Sequence, residues 1–116
     1  MGGSFSTGEE HAHLHLKPLR VASRKEEVFA EAKNLASDLP AWKIVRVEDE
    51  RQMLVCERKG SPLSGVSEVT ITCEGPDGIP STTVHARSES RGGLPGFGRD
   101  RAHVLEFMKL FHRRVC

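Results

Sequence analysis

The feature that most constrains the fold is a pair of alternating segments on either side of a tight turn. Over Val66 to Glu74, apolar side chains stand at 69, 71 and 73, and the same period returns over Ser81 to Ser88. A period of two places alternate side chains of a strand on one face. Between the segments, Gly-Pro-Asp-Gly at 75–78 favours a turn. The pair predicts an antiparallel hairpin with one apolar and one polar face.

Two further segments extend this hairpin into a meander. Trp42 to Val47 and Gln52 to Arg58 are rich in apolar and β-branched residues, which favour strands. A loop is predicted over Lys59 to Gly65, which holds Gly, Ser and Pro. Near the N-terminus, His11 to Leu16 also alternates and is predicted to be a strand with its imidazoles on one face.

Two segments carry the helical period. Ser23 to Leu39 opens with Ser-Arg-Lys-Glu, a capping box in which Ser23 and Glu26 satisfy each other's backbone amides, and Pro40 ends the helix. The last helix is predicted from about Asp100 to Val115, with an apolar stripe along one side.

These elements predict an α+β fold, a two-layer sandwich in which two helices pack on one face of an antiparallel sheet of four to five strands. The predicted order is β-α-β-β-β-β-α, in a single domain over 11–116 preceded by a flexible tail over 1–10. The predicted shared core consists of Phe29, Ala32, Leu35, Ile71, Val84, Val104, Met108 and Phe111.

Composition excludes several classes of function. With 17 basic and 16 acidic residues, the chain lacks the excess of positive charge that is typical of nucleic-acid binders. No apolar run is long enough to cross a bilayer, and no secretory signal is evident. The three cysteines form no CxxC pair, so we expect reduced thiols and a cytoplasmic location. No motif predicts a cofactor.

The segment Arg87 to Arg101, RSESRGGLPGFGRDR, resembles the RSxSRxG…(L/F)GxNrxR signature of the domain of unknown function 1499 family. The matching residues are Arg87, Ser88, Ser90, Arg91, Gly93, Phe97, Gly98 and Arg101. The resemblance extends over about residues 20–115, because the helix ending in Leu-Pro and the Val-rich strands are also similar. The family usually has Asp where this chain has Gly96, and Asn where it has Asp100. The resemblance implies the fold and brings no known reaction.

The same segment is the predicted ligand site. Guanidinium groups bind carboxylates and phosphates, and a glycine-rich stretch before a helix presents backbone amides to an anion. The alternative is a structural corner in which the arginines pair with Glu68, Glu89 or Asp100. The predicted anion-binding residues are His85, Arg87, Ser88, Ser90, Arg91, Gly93, Arg99 and Arg101.

From these residues we predict a non-enzymatic binding or interaction module for a small anionic ligand or a protein partner. The alternative is an enzyme that acts on a small anionic substrate, with His85 as general acid or base and Arg87 and Arg91 as clamps. A cleft with converging donors around His85 would favour the enzyme.

Two weaker signals lie near the N-terminus. His11, His13 and His15 could form a zinc or copper site, or simply a solvated strand face; same-face residues lie about 7 Å apart on a strand, so three rarely converge. Gly2 opens an MGxxx[ST] myristoylation pattern, which would bring membrane association; the alternative is an unmodified leader.

Overall fold

The structure is a computed structural model that describes residues 4–59, 65–91 and 97–116, apart from the side chains of Arg91 and Phe97. Two helices and six strands confirm the predicted α+β class, with one or two strands more than expected. The elements are β1 (Ser4–Ser6), a 3-10 turn (Leu14–Leu16), β2 (Leu19–Val21), α1 (Lys25–Asp38), β3 (Trp42–Glu48), β4 (Met53–Lys59), β5 (Val66–Glu74), β6 (Thr82–Arg91) and α2 (Phe97–Val115).

The strands form one antiparallel sheet in the order β1-β6-β5-β4-β3. β2 lies off this path and also pairs with β6. Phe5 of β1 is opposite Ser88, and Arg20 of β2 is opposite Thr83, so the two short strands line the same edge of β6 at different heights. In the central hairpin Ile71 lies opposite Ala86, so the apolar faces predicted for the two strands lie on the same side of the sheet.

Alternate residues of the sheet face the two helices. Leu54, Val69 and Val84 are fully buried on this side, while Glu57, Thr70 and His85 occupy the alternate positions on the other side. All eight residues of the predicted core are buried, and Phe111 at the centre of the α2 stripe has no exposed surface. The core prediction and the register of α2 are therefore confirmed.

The N-terminal region differs most from the prediction. The expected flexible tail contains β1, which is held in the sheet by the buried Phe5. The expected strand over His11 to Leu16 is wrong, because this segment bends and forms the 3-10 turn. The amide of His15 donates to Nδ1 of His13, 3.1 Å away, and this local bond favours a turn over an extended chain.

The helix starts also differ. α1 begins at Lys25 after Arg24, which makes no side-chain cap, so the predicted capping box at Ser23 does not form. The carbonyl of Ser23 instead accepts a 2.6 Å hydrogen bond from the hydroxyl of Thr82. α2 begins at Phe97, three residues before the predicted start. Neither helix combines the length and the apolar character needed to span a membrane, as far as the described residues reach.

Candidate functional site

The sheet separates the predicted anion-binding residues into two groups. His85 and Arg87 lie on the side of β6 that faces away from the helices, where their neighbours are Thr70 and Thr72 of β5. Ser88 and Ser90 are buried toward α2. The structure therefore brings His85 and Arg87 together and places the two serines on the opposite face.

On the exposed side, β1, β5 and β6 enclose a shallow cavity of about 260 Å³, which we call the open-face groove. It is lined by Ser6, Thr7, Thr70, Thr72, His85, Ala86 and Arg87. Thr70 is directly opposite Arg87, and Thr72 is directly opposite His85. Two hydroxyls therefore lie beside the two basic side chains, and all four groups can donate to an anion.

Carboxylates flank both basic groups of the open-face groove. Nε2 of His85 lies 2.9 Å from Oε1 of Glu74, and Nη2 of Arg87 lies 3.7 Å from Oε2 of Glu89. Local sequence spacing does not predict a carboxylate beside His85, because Glu74 is its diagonal neighbour across the hairpin. Only the hairpin register, with Glu74 opposite Thr83, identifies that contact.

On the helix side, Asp100 is the centre of a buried hydrogen-bond cluster. The hydroxyl of Ser88 donates to Oδ1 at 2.8 Å, and the hydroxyl of Ser90 lies 2.9 Å from each carboxylate oxygen. Asp100 has no exposed surface and lies in the first turn of α2, where the helix dipole favours a negative charge. This cluster joins α2 to β6 and uses the serine hydroxyls that were predicted to meet an anion.

The cluster continues as a line of polar side chains across one end of the sheet, which we call the polar row. Its sheet members are paired in register across four strands, namely Trp42, Arg58, Ser67 and Ser90. From α2, Glu106 meets this row, with Oε1 lying 3.2 Å from Nε of Arg58 and 3.3 Å from Nε1 of Trp42. The row connects the start of β3 to the start of α2.

His103 lies between Asp100 and Glu106 on the same side of α2 and is 7% exposed. Burial lowers the pKa of its imidazole; the charge of Arg58 lowers it further, while Glu106 and Asp100 raise it. Its Nδ1 and the buried hydroxyl of Ser67 have no hydrogen-bond partner within the described ranges. Sequence reasoning missed this part of the polar row, because its members are far apart in the chain.

The remaining predicted residues lie in α2 or outside the described residues. Arg99 is half-buried and Arg101 is exposed, both in the first two turns of α2. Gly93 and the side chain of Arg91 lie outside the described residues, as does Gly2 with its myristoylation pattern. The structure therefore describes the predicted anion-binding residues only on β6 and α2.

The three N-terminal histidines point to different partners. His11 stacks on Phe5 with ring centroids 4.8 Å apart, and its Nε2 lies 3.0 Å from the carbonyl of Ser6. His13 bonds the amide of His15, and Nε2 of His15 lies 3.1 Å from Nδ1 of His112. Within the described chain, no three His, Cys, Asp or Glu side chains are placed to hold a metal ion.

Two of the three cysteines are buried and are not placed to act as nucleophiles. Cys56 and Cys73 are buried in the sheet, and burial raises the pKa of both thiols to about 12. A nucleophilic cysteine needs its thiolate, which these two residues do not form near neutral pH. Cys116 is exposed.

One solved structure with a similar fold is a point mutant of norcoclaurine synthase from Thalictrum flavum in complex with a transition-state analogue. It superposes with a TM-score of 0.51 over 98% of this chain and 99% of that chain, at 15% sequence identity. At this identity the likeness shows the fold alone. No curated protein matches the chain significantly.

A family model matches residues 4–111. The match includes both helices and all six strands up to the last turn of α2, and it contains the Arg87 to Arg101 segment on which the resemblance was based. Because nearly the whole chain is matched, the chain belongs to the family described as Protein of unknown function (DUF1499).

Proposed function

We propose that the chain is a non-enzymatic binding module whose open-face groove takes a small anion such as phosphate. The proposal is supported by one observation, the placement of Arg87 and His85 beside the hydroxyls of Thr70 and Thr72. A guanidinium offers an anion two parallel hydrogen bonds, and the hydroxyls add donors that rotate to suit it. Of the predicted residues, the proposal retains His85 and Arg87.

Glu89 is the internal competitor for Arg87. The two side chains are exposed, and their 3.7 Å separation is longer than a hydrogen bond. Exposed ion pairs of this kind contribute about 0–1 kcal/mol, whereas a charge-assisted hydrogen bond contributes about 1.5–3 kcal/mol. An anion can therefore displace Glu89, with a dissociation constant of about a millimolar or below, and salt weakens the binding.

An NMR titration with phosphate and sulfate at low salt tests this proposal. We expect the amides of β5 and β6 around Thr70 and Arg87 to shift, and Arg87→Gln to abolish the response. The matched control is Arg46→Gln, because Arg46 and Glu48 form the same exposed pair two residues apart on β3. Shifts confined to residues 97–101, or an equal loss in both variants, would contradict a site in the open-face groove.

The competing function is an enzyme that acts on a small anionic substrate with His85 as general acid or base and Arg87 and Arg91 as clamps. One observation favours it, since Glu74 lies 2.9 Å from the imidazole and can orient it. In that case His85→Gln would abolish turnover of a bound phosphate ester, followed by phosphorus NMR, and leave its binding intact. Binding without turnover in the unmodified protein would favour the module.

We further propose that the module works in the cytoplasm. This is supported by three free cysteines, two of them buried in the sheet without a disulfide.

A further inference from the structure

A second cavity lies on the helix side of the molecule, between the 3-10 turn, β2 and the C-terminal half of α2. It has a volume of about 280 Å³ and continues into a shallower depression of about 370 Å³, with which it shares Leu14, His15, His112 and Cys116. We call the two together the α2–turn groove. The deeper part alone is close to the lower end of the size range for ligand pockets, so it suits a small molecule.

The floor of the α2–turn groove is apolar. Met108 is buried beneath it, and Leu19 lines it from β2. Leu14 borders it with 62% of its surface exposed, the largest exposed fraction among the described large hydrophobic residues. A ligand with a short aliphatic part would cover Leu14 and gain the free energy of removing this surface from water.

The rim of the groove is positively charged. Lys17 and Arg20 border the deeper part, and Lys109 and Arg113 border the shallower part. Glu9 is the acidic lining residue and pairs with Arg20 at 2.8 Å. Among the residues that the structure describes, no carboxylate lies within ion-pair distance of Lys17, Lys109 or Arg113.

A helix C-terminus attracts cations by itself, which accounts for Arg113 in the last turn of α2. Lys17 comes from a different segment and faces the same groove, so the helix dipole does not explain it. The pKa of His15 responds to this field: burial lowers it, and the charges of His112, His13, Lys109 and Arg113 lower it further. Above an apolar floor, the groove thus carries three basic side chains that have no carboxylate partner among the described residues.

We propose that the α2–turn groove binds a small amphiphilic anion, a carboxylate or phosphate monoester that carries a short aliphatic chain. Its charged group lies near Lys17 and Lys109, and its chain covers Leu14 and Met108. This site is separate from the open-face groove, which lies on the opposite side of the sheet and involves neither helix.

Titration calorimetry with hexanoate and hexyl phosphate tests the proposal, with acetate, inorganic phosphate and hexanol as half-ligands. All these titrations use the Arg87→Gln variant, so that the open-face groove does not bind phosphate. We expect each amphiphile to bind at least about tenfold more tightly than either of its halves. The ring signals of His15 and His112 should shift in NMR spectra. Equal binding of hexanoate and acetate, or no response from the two imidazoles, would overturn the proposal.

Two variants separate the charged and apolar contributions. Lys17→Gln combined with Lys109→Gln should weaken hexanoate binding about tenfold or more. The matched control combines Lys43→Gln with Lys59→Gln, which removes the same charge from exposed positions on β3 and β4. Leu14→Ser should make hexanoate and acetate bind alike. An equal effect of both lysine pairs would show that hexanoate is held by general electrostatic attraction and not by the α2–turn groove.

The two proposed sites fail independently. Arg87→Gln removes the anion response of the open-face groove and should leave hexanoate binding unchanged. If Arg87→Gln weakens hexanoate binding as much as the Lys17 and Lys109 pair does, then a single site on the exposed face accounts for both, and the α2–turn groove is not a ligand site.

Discussion

At the scale of single residues, Asp100 has the most demanding environment in the described chain. Its buried carboxylate lies in the first turn of α2 and accepts hydrogen bonds from two serine hydroxyls of β6. Hydrogen bonds to a charged group are worth about 1.5–3 kcal/mol each, and losing the acceptor leaves buried donors without a partner. Asp100 therefore fixes the start of α2 against β6.

Replacing Asp100 tests this role. Asp100→Ala should lower the free energy of unfolding by about 3 kcal/mol, because both hydroxyls lose their acceptor. Asp100→Asn retains one carbonyl oxygen and should cost about 1 kcal/mol. Urea denaturation measures both values. A loss in the asparagine variant as large as in the alanine variant would show that the charge, and not the acceptor, is required.

His103 makes stability depend on pH. Its pKa in the folded protein lies below the ordinary 6.5, mainly because burial disfavours the charged imidazole. As the pH falls below this value, the unfolded chain takes up the proton first, so stability is complete above about pH 6.5 and is lost below it.

For one proton this loss is at most about 1.4 kcal/mol per pH unit. His103→Gln should flatten the dependence of unfolding free energy between about pH 7 and pH 5.5, while the exposed His13→Gln should not. An unchanged slope in the His103 variant would assign the effect to other groups.

At the scale of elements, α2 contributes the two largest fully buried side chains of the described chain, Phe107 and Phe111, whose ring centroids lie 5.6 Å apart. Phe111→Ala should cost about 3–5 kcal/mol, from lost transfer free energy and the remaining cavity. The control is Leu14→Ala at an exposed position, which should change stability by less than about 0.5 kcal/mol. Thermal and urea unfolding measure both. A small effect at Phe111 would contradict its central place in the core.

An element can be predicted from the sequence where its apolar residues recur with the period of a helix or a strand and lie on its buried side. The β5–β6 hairpin and both helices were predicted because apolar residues mark the buried side at regular spacing. The last residues of β6 were missed because its buried side there consists of Ser88 and Ser90, which look like exposed positions until Asp100 is placed beside them. β1 has a single apolar residue, too few to show a period.

The candidate site was predictable only where its residues are neighbours in the chain. His85 and Arg87 share a face because they are two residues apart on a strand. By contrast, Glu74 meets His85 through the hairpin register, and His15 meets His112 across 97 residues of chain. Such contacts depend on the packing of whole elements, which local spacing does not specify.

At the scale of the whole molecule, a net charge of +1 conceals an uneven distribution. Cations without described carboxylate partners collect along the α2–turn groove, whereas Glu74 and Glu89 balance the basic residues of the open-face groove. We therefore expect salt to weaken the binding of hexyl phosphate in the α2–turn groove more steeply than the binding of phosphate in the open-face groove, because the first site has more basic groups without a carboxylate partner. Calorimetry at two ionic strengths measures both slopes. Equal slopes would contradict this difference.

The division of one sheet edge between β1 and β2 has a consequence for hydrogen exchange. β1 covers residues 87–89 and β2 covers residues 82–84, while the amide of Ala86 donates to the hydroxyl of Thr7. Each of these strands has three residues and few bonds to break, so β1 can open locally without the rest of the sheet. Because Ser6 and Thr7 also line the open-face groove, a bound anion should slow the exchange of Ala86 and leave residues 82–84 unaffected. The rate at which β1 opens would then report whether an anion occupies the open-face groove.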